Sequence, residues 1–200
     1  MRVREWASEN GYASLPLYTG KDRVYESAGW SNYVSTPPRR IVFRANAAGE
    51  CPVTGDRLDE ETRRHFMRLY GLDDFPGKVL RGHNREFLGW PRIFNDPEMR
   101  FAWADGIAAI FFDGTLAECF AEPGVSNGGI CSFISRFAVD KGIDCALHSQ
   151  SRIWQALEAC GCISQPCTKD VMHGEHPMAL DLVSSRPHSR LLHYSLVDKF

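Results

Sequence analysis

The stretch Asp105-Gly-Ile-Ala-Ala-Ile-Phe-Phe-Asp-Gly-Thr-Leu-Ala-Glu-Cys-Phe-Ala-Glu122 decides the fold class. Its first half, Ile107 to Phe112, is a continuous apolar run bounded by Asp105-Gly106 and Asp113-Gly114. A run this short and unbroken suits a strand covered on both faces better than a helix. Its second half, Thr115 to Glu122, reads as a helix with Thr115 near the cap and Leu116, Cys119 and Phe120 turned inward. Beyond it, Gly124 to Gly129 is a glycine-rich loop. Ile130 to Val139, partly alternating and β-branched, then reads as a strand.

Working outward, Leu58, Thr62, His65, Phe66 and Leu69 recur at helical spacing. Acids crowd the first turn of that segment and Gly71 stands where it would end. Ser149 caps a further helix through Ile153, Trp154, Leu157 and Cys160, closed by Gly161. Short strands are expected at Arg40 to Arg44, Lys78 to His83, Pro177 to Val183 and Leu191 to Val197, and Trp90 to Met99 reads as loop. The sum is an α+β chain, read as a single domain over 1–200. Residues 1–55 form an irregular, aromatic-rich N-terminal arm and 56–200 an α+β core.

The 200 residues are 44% hydrophobic and 24% charged with a formal net charge of -2, ordinary values for a globular chain. That balance offers no broad basic surface for nucleic acid. No apolar run is long enough to span a membrane, and the basic start lacks the apolar segment of a secretory signal. A cytoplasmic location is expected, or secretion by a route without an N-terminal signal peptide. Seven cysteines, an odd number at irregular spacing, argue against a disulfide framework. Cys160-Gly-Cys162 with Cys167, His173 and His176 falls short of a zinc pattern, and buried reduced thiols are the simpler expectation.

Two constellations carry candidate chemistry. In the first, Arg81 at a strand end can grip a pyrophosphate, and Gly82 beside it lets a flat ring approach the backbone. His83, Arg100, Phe111 and Phe112 follow as further binding residues, with Phe111 or Phe112 stacking on a leaving ring. Glu122 supplies a carboxylate for a ribosyl cation or a ribose hydroxyl. In the second, Cys131 follows a glycine-rich turn, with His148, His176, Asp181 and Asp198 downstream, in the order of a thiol peptidase or deamidase. A cysteine in an apolar run is more simply a core residue.

The first set resembles the RES-domain family. The resemblance lies in Val79-Leu-Arg81-Gly82, Arg100-Phe101, Ile110 to Glu122, and the later Trp154 to Thr168, and it covers residues 78–183. Gly82 replaces the family's usual aromatic, and Cys167-Thr168 stands where its serine would be. Arg81-Gly82 is similar to ordinary ADP-ribosyltransferases, in which Glu175 would take the place of the catalytic acid; Asp170 and Asp181 are weaker candidates. The resemblance implies an ADP-ribosyltransferase-like split β-sandwich that binds NAD as substrate. It implies NAD glycohydrolase or ADP-ribosyltransferase activity of toxin or effector type, catalysed by Arg81 with Glu122 or Glu175. A protein acceptor and an antitoxin or chaperone would be its partners. The alternatives are a papain-like thiol enzyme built on Cys131 and a histidine, and a non-catalytic module that binds protein through the aromatic arm.

Overall fold

The computed structural model describes residues 3–11, 14–32, 38–44, 53–55, 57–73, 90–167 and 176–182. In chain order the elements are α1 (Val3–Glu9), β1 (Ser14–Thr19), α2 (Asp22–Glu26), β2 (Ser31–Asn32), β3 (Arg39–Val42) and β4 (Val53–Gly55). Then come α3 (Glu60–Leu72), α4 (Trp90–Asn95), β5 (Met99–Ala104), β6 (Ile107–Phe112) and β7 (Thr115–Ala121). The last are α5 (Asn127–Ser135), β8 (Gly142–Cys145), α6 (Arg152–Ala159), β9 (Ile163–Pro166) and β10 (His176–Asp181). The strands divide between a three-stranded sheet, β1-β10-β2, and a seven-stranded sheet, β4-β5-β6-β7-β8-β3-β9. The α+β class expected from the sequence is the class the chain adopts.

The large sheet begins as an antiparallel meander. Asp105-Gly106 and Asp113-Gly114 both take positive φ (51° and 75°, 46° and 72°), the backbone of the two-residue turns that match strand twist. The second turn overturns the helix expected at Thr115: an Asp-Gly hairpin sends the chain straight back along β6, and Thr115 to Ala121 become β7, buried along its whole length. β6 is buried throughout, as its apolar run required.

The strand expected at Ile130 to Val139 is also replaced, here by helix. Ser126 caps α5 by accepting the amide of Gly129 (3.1 Å), which turns the glycine-rich segment into the first turn of a helix. Ile130, Phe133 and Ile134 then fall on one buried face, at helical rather than alternating spacing. Trp90 to Asn95 is likewise helix and not loop, with Pro91 tolerated in the first turn, where an amide has no intrahelical acceptor.

Helices cover both faces of this sheet. Ile107, Ala109 and Phe111 of β6 pack with Leu116, Cys119 and Ala121 of β7 against Ile130, Phe133, Ile153 and Leu157 of α5 and α6. Ala108, Ile110 and Phe112 face the other way, into an aromatic core with Phe66 and Tyr70 of α3, Trp90 and Phe94 of α4, and Phe101. Phe66 meets Phe94, Phe101 and Trp103 edge to face, at centroid distances of 6.4, 5.6 and 6.2 Å.

The N-terminal residues expected to form an irregular arm build short elements, and two of them, β3 and β4, enter the large sheet. β3 lies between β8 and β9, antiparallel to both, with Ile41 and Phe43 buried as their spacing suggested. Among the described residues no helix is long and apolar enough to cross a membrane.

Candidate functional site

The site follows from one departure from antiparallel order. β7 leads through a loop into α5, and α5 returns to β8, which runs parallel to β7. A β-α-β step of this kind sets a helix N-terminus beside the carboxyl end of a strand, where ligands of open mixed sheets collect. The two parallel strands share one residue pair, Leu116 with Cys145, followed by the amide of Ala146 donating to the carbonyl of Leu116 (3.0 Å). Past that point β7 continues to Ala121 while β8 ends at Cys145, so the paired strands part toward the helix.

A bulge accompanies the parting. Ile110 pairs with Glu118 and Phe111 with Leu116, so Ala117 is an extra residue on β7. Bulges bend a strand and redirect its side chains. Here the consequence is Glu118, a carboxylate 7% exposed in an otherwise apolar strand, on the face of β7 that carries Ile110 across the ladder.

At the far end of β7 the loop is organised by Arg152, the first residue of α6. Its guanidinium donates to the carbonyls of Ala121 (3.2 Å), Glu122 (2.5 Å), Pro123 (3.2 Å) and Val125. One cation thus turns the loop's carbonyls to a single side. At the start of α5 the hydroxyl of Ser126 takes the Gly129 amide, and Ile130 donates to the Ser126 carbonyl (3.0 Å). Asn127 and Gly128 head the helix, where amides have no intrahelical acceptor and the helix dipole favours an anion. Gly128 is exposed, and a Cβ there would meet nothing nearer than Ser126 Oγ at 4.0 Å.

Of the residues singled out in the sequence, Arg100, Phe111, Phe112, Glu122, Cys131 and His148 are among those described. Arg81, Gly82, His83 and Glu175 lie outside the described residues, as do Asp170, Thr168 and Asp198. Phe111 and Phe112 are consecutive on β6 and therefore enter opposite cores, Phe111 against Phe137 (4.8 Å between centroids) and Phe112 on the aromatic side. They cannot line one ring pocket together. Arg100 is exposed and donates to the carbonyls of Pro97 (2.7 Å) and Met99 (2.9 Å) beside it.

Glu122 follows β7 and is engaged by Arg68 of α3 at 2.5 Å. That hydrogen bond holds its carboxyl below the usual glutamate range, with the positive charge of Arg68 adding to the effect. His65 stands beside Arg68 (3.3 Å) and is itself lowered, first by burial and then by that cation. The geometry makes Glu122 an ion-pair partner between α3 and the loop.

Cys131 is no activated nucleophile. Burial pushes its thiol up to about 12, and its neighbours are the thiols of Cys162 and Cys160. His148 closes the segment after β8, accepts the Gln150 amide at Nδ1 (3.2 Å), and is lowered by burial.

No family model matches the sequence, and no curated protein matches it. Among solved structures the chain is similar to a GCN5-related N-acetyltransferase from Kribbella flavida, with a TM-score of 0.51 and 13% identity. The likeness covers 88% of this chain and 45% of that one, so the chain spans about half the length of the structure it matches. At this identity the likeness is one of fold. The fold shared with an N-acetyltransferase overturns the NAD-consuming reading of the sequence.

Proposed function

We propose that the chain carries an acyltransferase site that takes an acyl thioester of coenzyme A. The observation that carries this reading is the single-pair parallel ladder of β7 and β8 opening toward the N-terminus of α5. The likeness of fold to a GCN5-related N-acetyltransferase supports it.

Each part of such a donor has a counterpart. The pyrophosphate meets the first-turn amides of Asn127 and Gly128, where backbone approach is unobstructed by a Cβ at Gly128. The amide-bearing arm lies along the edge of β7 past Leu116 and uses main-chain hydrogen bonds as an added strand would. The thioester then reaches the level of the bulge. An amine acceptor must lose a proton to attack the thioester carbonyl, and Glu118 is the carboxylate placed at that level to accept it. A cytoplasmic setting suits both this donor and free thiols.

The test measures acetyl coenzyme A binding by calorimetry and acetyl transfer to a panel of amines by mass spectrometry. Micromolar to sub-millimolar binding, with transfer lost in Glu118→Gln while binding persists, is the expected result. Absence of binding by the folded protein would remove the proposal.

A further inference from the structure

Three thiols meet where α5 packs near the turn that follows α6. Cys131 lies in α5, Cys160 caps α6, and Cys162 leads into β9. Between the last two, Gly161 takes φ +72°, and a Cβ there would come within 3.2 Å of the Arg44 guanidinium. The Sγ atoms of Cys131 and Cys162 are 3.7 Å apart, and Cys160 donates to the carbonyl of Asn127, the first residue of α5 (3.4 Å). Cys119 and Cys145 are sealed in the core, whereas these three are half-buried and open to small reagents. Among the described residues no group of three or more His, Cys, Asp or Glu side chains is arranged to hold a metal ion.

We propose that Cys131 and Cys162 form a reversible disulfide, made by a hydroperoxide, that ties α5 to the segment entering β9. Two S–H bonds and the peroxide O–O bond break and one S–S bond forms. The sulfurs lose two electrons to the peroxide, and with hydrogen peroxide both oxygens leave as water. The Cys162 thiolate takes the first oxygen as a sulfenic acid, and Cys131 then displaces it.

This order follows from the surroundings. Burial raises both thiols, and of the two it is Cys162 that has the positive charge of Arg44 pulling toward its thiolate, against the opposing effect of Cys160. Raised thiols react slowly, so the bond builds under sustained oxidation rather than in a brief pulse. Closing 3.7 Å to a bond of about 2.05 Å draws the two segments together. Cys131 is one turn beyond Gly128, so the bond pins the helix whose first turn holds the donor pyrophosphate. This consequence for donor binding rests on the function proposed above; the bond itself does not.

The full chain, folded, is treated with hydrogen peroxide and blocked with iodoacetamide, and its peptides are mapped by mass spectrometry. A Cys131–Cys162 linked pair that disappears on reduction is expected, absent in Cys131→Ser and kept in Cys160→Ser, with circular dichroism confirming that each variant folds. Alkylation of both Cys131 and Cys162 after oxidation, or a link that runs to Cys160 instead, overturns the proposal. Calorimetry with acetyl coenzyme A on oxidised and reduced protein tests the consequence. A severalfold difference in Kd supports it, and equal affinities overturn it. Failure to bind in either state refutes the function proposed above while the mapped bond stands.

Discussion

Gly128→Asp separates the stability of α5 from its capacity to hold an anion, because the two respond to the same charge with opposite sign. Gly128 is the second residue of the helix, and its added Cβ has no contact closer than 4.0 Å. Replacing a helical glycine and placing an acid in the first turn are both favourable, together by a few tenths to about 1 kcal/mol. For a chain of this size that raises Tm by up to about 4 °C. A pyrophosphate on the same amides would lie roughly 5 Å from the new carboxylate. At effective dielectric constants of about 20–80, one unit of charge there costs about 1–3 kcal/mol, a Kd raised from several-fold to about a hundred-fold. Gly128→Asn supplies nearly the same shape without charge and should bind much as the parent does. The assay is calorimetric titration with acetyl coenzyme A at two salt concentrations, beside thermal unfolding. The penalty should shrink at high salt. A folded Gly128→Asp protein that binds as well as the parent, or a Gly128→Asn protein that loses as much, would refute the assignment of the pyrophosphate to this helix.

Arg152→Met keeps the length of the side chain and removes the donors that gather four loop carbonyls, and it should cost about 2–4 kcal/mol by urea unfolding, with donor binding lost as well. A loss under half a kcal/mol, on the order expected for an ordinary surface change, would show that the loop is ordered without it. Phe66→Ala opens the aromatic core under three edge-to-face contacts and should destabilise by about 3–5 kcal/mol in chemical denaturation. Because the carboxyl of Glu122 is lowered on folding, its pairing with Arg68 stabilises the protein above the ordinary glutamate range and is lost as pH falls through the folded value. Carboxyl titration by NMR should therefore find Glu122 low in the parent and returned toward the ordinary range in Arg68→Met. An identical titration in both would remove the ion pair from solution.

The boundaries of strand and helix were legible where local chemistry and burial agreed. Ile107 to Phe112 had only one way to bury six apolar side chains, and Glu60–Leu72 carried both an apolar stripe and acids at its start. Ser151, two residues from the cap expected at Ser149, closes the amide of Trp154, a shift within the ordinary reach of sequence reasoning. Thr115 to Glu122 reads as helix because Leu116, Cys119 and Phe120 mimic helical spacing, and the overriding signal is the Asp113-Gly114 turn in front of them. Ile130 to Val139 reads as strand for the converse reason: β-branched and aromatic residues suggest a strand, while Ser126 and the chain's return to a parallel partner make Asn127–Ser135 a helix. Glu118 left no mark at all, since a lone acid in an apolar run becomes notable only once a bulge and the parting of β7 from β8 surround it.

By itself, then, the sequence determined what nearest neighbours can settle: the mixed class, the buried β6, and the α3 and α6 stripes. The strand order and the site came from the tertiary structure alone. A strand's partner, the face a bulged residue takes, and the side to which Arg152 draws four carbonyls depend on residues tens of positions apart. Their free energies arise only when those segments pack together, so no local pattern of residues encodes them.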